Sequence, residues 1–296
     1  MTTSRSDLRI SNLSVAEFIN CFSLLVALGT ISTSYFFGQI YHADLSFSFF
    51  WLLATTTWII YTLDHILDGY KLKEDSISVR HLIHYKYRKS IVPTLAALCL
   101  FNGYLAWFFL PINVIWSGII VSFFVGLYFG IVHLLKSKQI VFPKELFVSI
   151  IVAIGMVVLP GIVGDMRFSF ESVLMVCSMA CINYANLLLF SYYDYENDVK
   201  NGLMSAATHW GLTKTKMMIM NALALAFVLF TAWTFLIISP VKIQISIALL
   251  VMLNVLLVIY IQEERFAKKE RYRFWGDFIF LVPGFVWWFF EQNTFF

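Results

Sequence analysis

Nine stretches of this chain approach the ~20 consecutive apolar residues that a helix needs to cross the hydrocarbon core of a bilayer. They are 18–40, 47–63, 91–110, 114–135, 146–163, 172–193, 217–238, 243–261 and 275–290. With 60% hydrophobic and only 13% charged residues, the chain cannot hide its apolar surface in a water-soluble domain, so lipid must be its solvent. The last stretch is short and holds Pro283 and Gly284, but its Trp287 and Trp288 suit the aromatic belt of a membrane interface. Residues 1–16 are polar and mixed. The apolar stretch after them is too long for a signal-peptide core and lacks a small-residue cleavage site, so the first span is expected to stay.

Basic residues sort sharply across these spans. With the N-terminus in the cytosol, 19 of the 21 lysines and arginines fall on the cytosolic side, and only Arg167 and Lys242 fall outside. That bias follows the positive-inside rule. It predicts an integral protein of a bacterial inner (plasma) membrane with its C-terminus outside. The net charge of +3 is thus a topology signal, and nucleic acid is not expected as a partner. Cys21, Cys99, Cys177 and Cys181 lie in apolar stretches without metal-ligand spacing and read as packing residues.

The second span ends in Asp64 and Asp68, and the sixth in Asp194 and Asp198. The predicted fold is therefore an all-α membrane bundle of nine transmembrane helices, with two parallel four-helix pseudo-repeats, 15–135 and 144–261, and a last helix at 275–290. The linker between the halves, 133–145, is short and basic. In each acidic pair the carboxylates are four residues apart, which on a helix places them on one face. Like charges at that spacing repel by about 0.2–0.5 kcal/mol. A mid-span aspartate costs about 2.5–3.5 kcal/mol, and less near a helix end. A hard divalent cation offsets such a cost. Magnesium favours one or two carboxylates together with water and phosphate oxygens, and two facing pairs would grip a diphosphate through two ions. The alternative, solvated carboxylates at helix ends with no further role, fits one pair better than two at equivalent places.

Arg80, Lys136, Lys138 and Lys200 lie near the acids and could donate charge-assisted hydrogen bonds to phosphate, although each also serves the topology signal. Asn186, Phe190, Asp194 and Asp198 share one helical stripe, so Asn186 is expected in the same cavity unless it makes a plain interhelical hydrogen bond. The segment 265–273 reads as a basic loop against lipid headgroups.

At these residues the chain resembles the UbiA superfamily of intramembrane prenyltransferases. Asp194-Tyr195-Glu196-Asn197-Asp198-Val199-Lys200-Asn201-Gly202, followed by Trp210-Gly211, is similar to that family's second motif, and Tyr128 with Lys136 and Lys138 is similar to its tyrosine and lysine after the fourth helix. The first motif departs: Asp64 and Asp68 are present, but Ile60 and Tyr61 stand where the family carries asparagine and a further aspartate. The following Arg-Pro-x-x-Ser-Gly sequence is replaced by residues 79–88. The resemblance implies that Mg2+ held by Asp64, Asp68, Asp194 and Asp198 neutralises the diphosphate of a prenyl donor. An aromatic or lipid acceptor then captures the allylic group. Two alternatives remain open at this level: a member of the same fold with altered or lost catalysis, and an ion-coupled transporter. A CDP-alcohol phosphotransferase is excluded, because Asp68-Gly69 continues as Tyr70-Lys71-Leu72-Lys73.

Overall fold

A computed structural model describes residues 10, 13–72, 78–131, 144–164, 166–236 and 241–293. Among these residues the regular elements are helices and there is no strand. In chain order they are α1 (Val15–Cys21), α2 (Leu24–Ile40), α3 (Phe47–Leu72), α4 (Val79–Phe109), α5 (Ile112–Phe129), α6 (Lys144–Ala153) and α7 (Leu159–Val163). There follow α8 (Phe170–Tyr193), α9 (Tyr195–Asn201), α10 (Ala206–Trp210), α11 (Leu212–Leu236), α12 (Lys242–Ile261), α13 (Glu263–Ala267), α14 (Arg271–Phe278) and α15 (Val282–Asn293).

Among the described residues, six helical segments are long and apolar enough to cross a bilayer: α4, α5, α6 through α7, α8, α11 and α12. A seventh arises if α1 and α2, bent by 73°, form one span. The protein is thus an all-α membrane protein. Two of the nine expected spans fall outside that set. At ~1.5 Å per residue, α3 has the length to cross, but its last turns carry Asp64, His65, Asp68 and Lys71. The C-terminal segment is broken into α14, a tight turn at Ile279–Leu281 and α15.

The first span is folded at an elbow rather than continuous. Ser23 adopts φ +52°, an unfavourable region for a residue with a Cβ. The Phe22 carbonyl beside it accepts from Trp58 Nε1 on α3 at 3.0 Å, so the bend leaves that group satisfied. Between α6 and α7 the span passes through a π-helical turn, Ile154–Val158, a widening that is common near functional sites.

α8 forms the centre. Its Met179, Ile182, Ala185 and Leu188 are fully enclosed, packed with Ile219, Ala222 and Ala226 of α11. Without a hydrophobic driving force between spans, such close approach depends on small residues and dispersion contacts. Each aspartate-bearing helix packs between its sequence neighbours: α3 against α2 and α4, and α8 against α6 and α11. The C-terminal segment is fastened to α2 by side chains. Pro283 has no N–H to give. Around it, Thr33 donates to the Phe280 carbonyl at 2.7 Å, Ser32 donates to the Leu281 carbonyl at 2.9 Å, and the Gly284 amide donates to Ser32 at 3.2 Å. Those bonds give partners to backbone groups at a break in the regular helix.

Candidate functional site

α3 runs nine residues past the end of the expected span without interruption, which keeps Asp64 and Asp68 on one helical face. The second pair is built differently. Asp194 ends α8, and α9 begins at Tyr195; the Asp198 amide still donates to the Asp194 carbonyl at 2.8 Å, so the four-residue spacing survives the joint. Gly202, at φ +64°, stops α9, a conformation glycine adopts without a Cβ penalty. The chain then returns to α10, whose first amides are held by Glu145 (Ala206 N–H, 2.8 Å) and Ser191 (Ala207 N–H, 2.8 Å).

Asp64, Asp68, Asp194 and Asp198 all line one polar cavity of about 190 Å³, together with Arg80 and Tyr128. The remaining residues singled out from the sequence lie elsewhere. Asn186 is buried next to this cavity against Gly276, and its amide reaches Asp277. Lys200 is exposed away from it. Lys136 and Lys138 fall outside the described residues. The segment 79–88, ahead of the apolar run at 91–110, is the first part of α4, so Arg80 and His81 enter the cavity from a helix.

Seven carboxylates and three cations line this cavity among the described residues, an imbalance that favours entry of positive charge. The cations are Arg80, Lys144 and Arg273. Burial, and then the charge of Asp194, push the Asp198 carboxyl up to about 6, so the cavity resists its ionisation unless a cation enters. Asp68 meets Lys71 at 3.4 Å, an exposed contact of small value. Asp194 is tied most firmly. Its Oδ1 accepts from the Tyr272 hydroxyl at 2.5 Å, and its Oδ2 pairs with the Arg273 guanidinium. Burial raises the Tyr272 hydroxyl well above its ordinary range, so it remains a donor.

A group of three histidines borders the cavity. His65 Nε2 lies 3.2 Å from Ser23 Oγ at the elbow, and the His65 ring is 5.7 Å from His81 and 5.1 Å from His84. His84 Nδ1 donates to the Arg80 carbonyl at 2.8 Å, which ties the group to the backbone that carries Arg80. Among the described residues, no three His, Cys, Asp or Glu side chains are disposed to enclose one ion. Magnesium does not need such a cage, since it keeps water and phosphate oxygens in its shell.

A second, apolar chamber of about 690 Å³ adjoins the first, and Tyr61, Tyr128 and Val148 line both. Its size falls within the range of small-molecule sites, ~300–1,000 Å³. The walls come from α3, α4, α5 and the span containing the π-helical turn, with Gly103, Gly118, Gly126 and Gly155 among the lining residues. The Tyr128 ring stacks on Phe147 at 5.7 Å, which fixes it at the junction. Asn102, in the chamber wall, exchanges hydrogen bonds with Thr55 at 2.9 and 3.1 Å.

Sequence inspection missed Arg273 and Asp277, which lie in or beside a run attributed to headgroup contact, and Lys144 at the end of the basic linker. One signal was available. Arg273 and Asp277 are four residues apart at the edge of an apolar run, a spacing that pairs them on a helix. Comparisons with family models, with curated proteins and with solved structures gave no match.

Proposed function

We propose that this protein is an intramembrane prenyltransferase of the UbiA kind, which moves a prenyl group from a prenyl diphosphate to an aromatic or lipid acceptor with the help of Mg2+. One observation carries the proposal. Four aspartates from two distant parts of the chain line a single polar cavity that adjoins an apolar chamber through Tyr61 and Tyr128. An amphiphile with a hydrocarbon tail, whose anionic head enters together with a divalent cation, matches both volumes at once.

The aspartate carboxylates suit Mg2+, an ion that binds through hard oxygen donors. When bound, it would neutralise the diphosphate and stabilise the charge that develops on the leaving group. Arg80 and Lys144 are positioned to donate charge-assisted hydrogen bonds to phosphate oxygens. The apolar chamber takes the tail and keeps water from the reacting carbon. Tyr61 and Tyr128 put aromatic faces where positive charge grows as the C–O bond breaks. The electron pair of that bond leaves with the diphosphate, and the acceptor supplies the electrons of the new bond and gives up a proton.

The same proposal assigns nine spans, adding α3 and the C-terminal segment to the seven above. It places the aspartates and N-terminus in the cytosol and the C-terminus outside. The test is binding and turnover of farnesyl or geranylgeranyl diphosphate by the purified protein in nanodiscs. Mg2+-dependent binding is expected, weakened at least about 100-fold in turnover by Asp64→Ala. A transporter would be indifferent to the diphosphate. A member of the fold without catalysis would bind it but release no pyrophosphate.

A further inference from the structure

We infer that the polar end of the acceptor is held in a corner of the cavity built by Asn20, Ser23, His65 and His81, and that this corner selects an uncharged, hydroxyl-bearing head. The inference rests on the prenyl-transfer reading above and adds to it the acceptor's polar group and the residues that position it.

Three polar atoms on this wall, Asn20 Oδ1, His65 Nδ1 and His81 Nδ1, are buried and have no hydrogen-bond partner among the described residues. His65 and His81 are each 7% exposed, so bulk water does not serve them. Buried polar groups are ordinarily paired, and three orphans on one wall call for a ligand that pairs them. The corner is also firmly built. The elbow at Phe22 and Ser23 brings Asn20 and Ser23 to the cavity wall, and Ser23 Oγ lies 3.2 Å from His65 Nε2. The strained φ of Ser23 is thus kept where the chain meets this site. Behind the wall, His84 is fixed by its bond to the Arg80 carbonyl, and its ring lies 5.1 Å from that of His65.

The chemistry of these atoms sets what they can take. Asn20 Oδ1 only accepts, so the ligand must donate. In an uncharged imidazole one nitrogen donates and the other accepts, so the two histidines can meet either half of a hydroxyl, which donates and accepts through one atom. An ether or a quinone carbonyl has no donor. A carboxylate has none either, and it would add to a lining that already carries seven carboxylates.

Position completes the argument. His65 follows Tyr61 by four residues on α3, so the two share a face and stand about 6 Å apart along the helix. Tyr61 marks the junction with the apolar chamber. A hydroxyl held at His65 and His81 therefore sets the far side of a compact ring at that junction, where the donor's allylic carbon would stand. Asn20, His65 and His81 act as positioning residues for the acceptor.

The experiment compares three probes. Full-length protein in nanodiscs is loaded with Mg2+ and farnesyl thiodiphosphate, whose C–S bond resists ionisation. Binding of naphthol, its methyl ether and naphthoate is then measured by equilibrium dialysis against empty nanodiscs. Naphthol is expected to bind at least about ten-fold more tightly than either of the others. Asn20→Ala and His81→Phe should each bring the naphthol-to-ether ratio towards one, and that ratio does not depend on how much of the protein is folded. Equal affinities, tighter binding of naphthoate, no saturable binding of naphthol, or a ratio unmoved by both substitutions would overturn the inference. Binding of the farnesyl analogue, measured separately, isolates the parent reading. If the analogue binds with Mg2+ and naphthol is not selected, the acceptor corner alone falls; if the analogue does not bind, the prenyl-transfer reading falls with it.

Discussion

At the scale of single residues, the close packing of Gly276 against α8 decides whether Arg273 and Asp277 reach the cavity. A Cβ there would lie 2.3 Å from Asn186 Oδ1 and 2.7 Å from a Phe190 ring carbon. Gly276→Ala should therefore push α14 away from α8 and cost about 1–3 kcal/mol, seen as a lower Tm together with weaker pyrophosphate binding. Arg273→Gln alone, which leaves the partly buried Asp194 carboxylate with the Tyr272 hydroxyl but without its cation, should lower the Tm in the same melts. Adding Asp194→Asn should recover most of that loss. The aspartates were legible in the sequence because an acid in an apolar run is conspicuous and four-residue spacing is a local property. Arg273 was not, since its partner lies 79 positions earlier and the positive-inside bias accounts equally well for any basic residue in that run.

At the scale of elements, the hydroxyls of α2 hold the C-terminal segment in place. Thr33→Val leaves the buried Phe280 carbonyl without its side-chain donor and should lower stability by about 1–3 kcal/mol. Limited proteolysis after residue 270 should then quicken relative to the wild type. The long apolar helices were readable from hydropathy alone, because a bilayer sets their length. Two features were hidden. The elbow at Phe22 and Ser23 interrupts a continuous apolar run, and its stabilising contacts come from Trp58 and His65 on another helix. Residues 79–88 precede the apolar run at 91–110 and carry no hydropathy signal, yet lysine and arginine are good helix formers and the segment packs along α3 as the first part of α4.

At the scale of the whole molecule, the nine-span proposal puts the two termini on opposite sides of the membrane. Tags at each end should differ in protease accessibility in sealed vesicles, and equal accessibility would remove one span or add one. The apolar chamber permits a test of tail length. A Cβ on Gly118 meets nothing within 4 Å, so Gly118→Leu should fold normally and fill the chamber. Binding of geranylgeranyl diphosphate should weaken more than that of geranyl diphosphate. The chamber wall has one more consequence. α4 and α5 scarcely touch each other, and their outer faces, with Trp107, Phe108, Trp116 and Phe123, are exposed. A guest in the chamber is thus parted from the surrounding acyl chains by a partition one helix thick, so the order and thickness of the host bilayer should tune its affinity. Micelles, which replace that outer layer, should report a different value from nanodiscs.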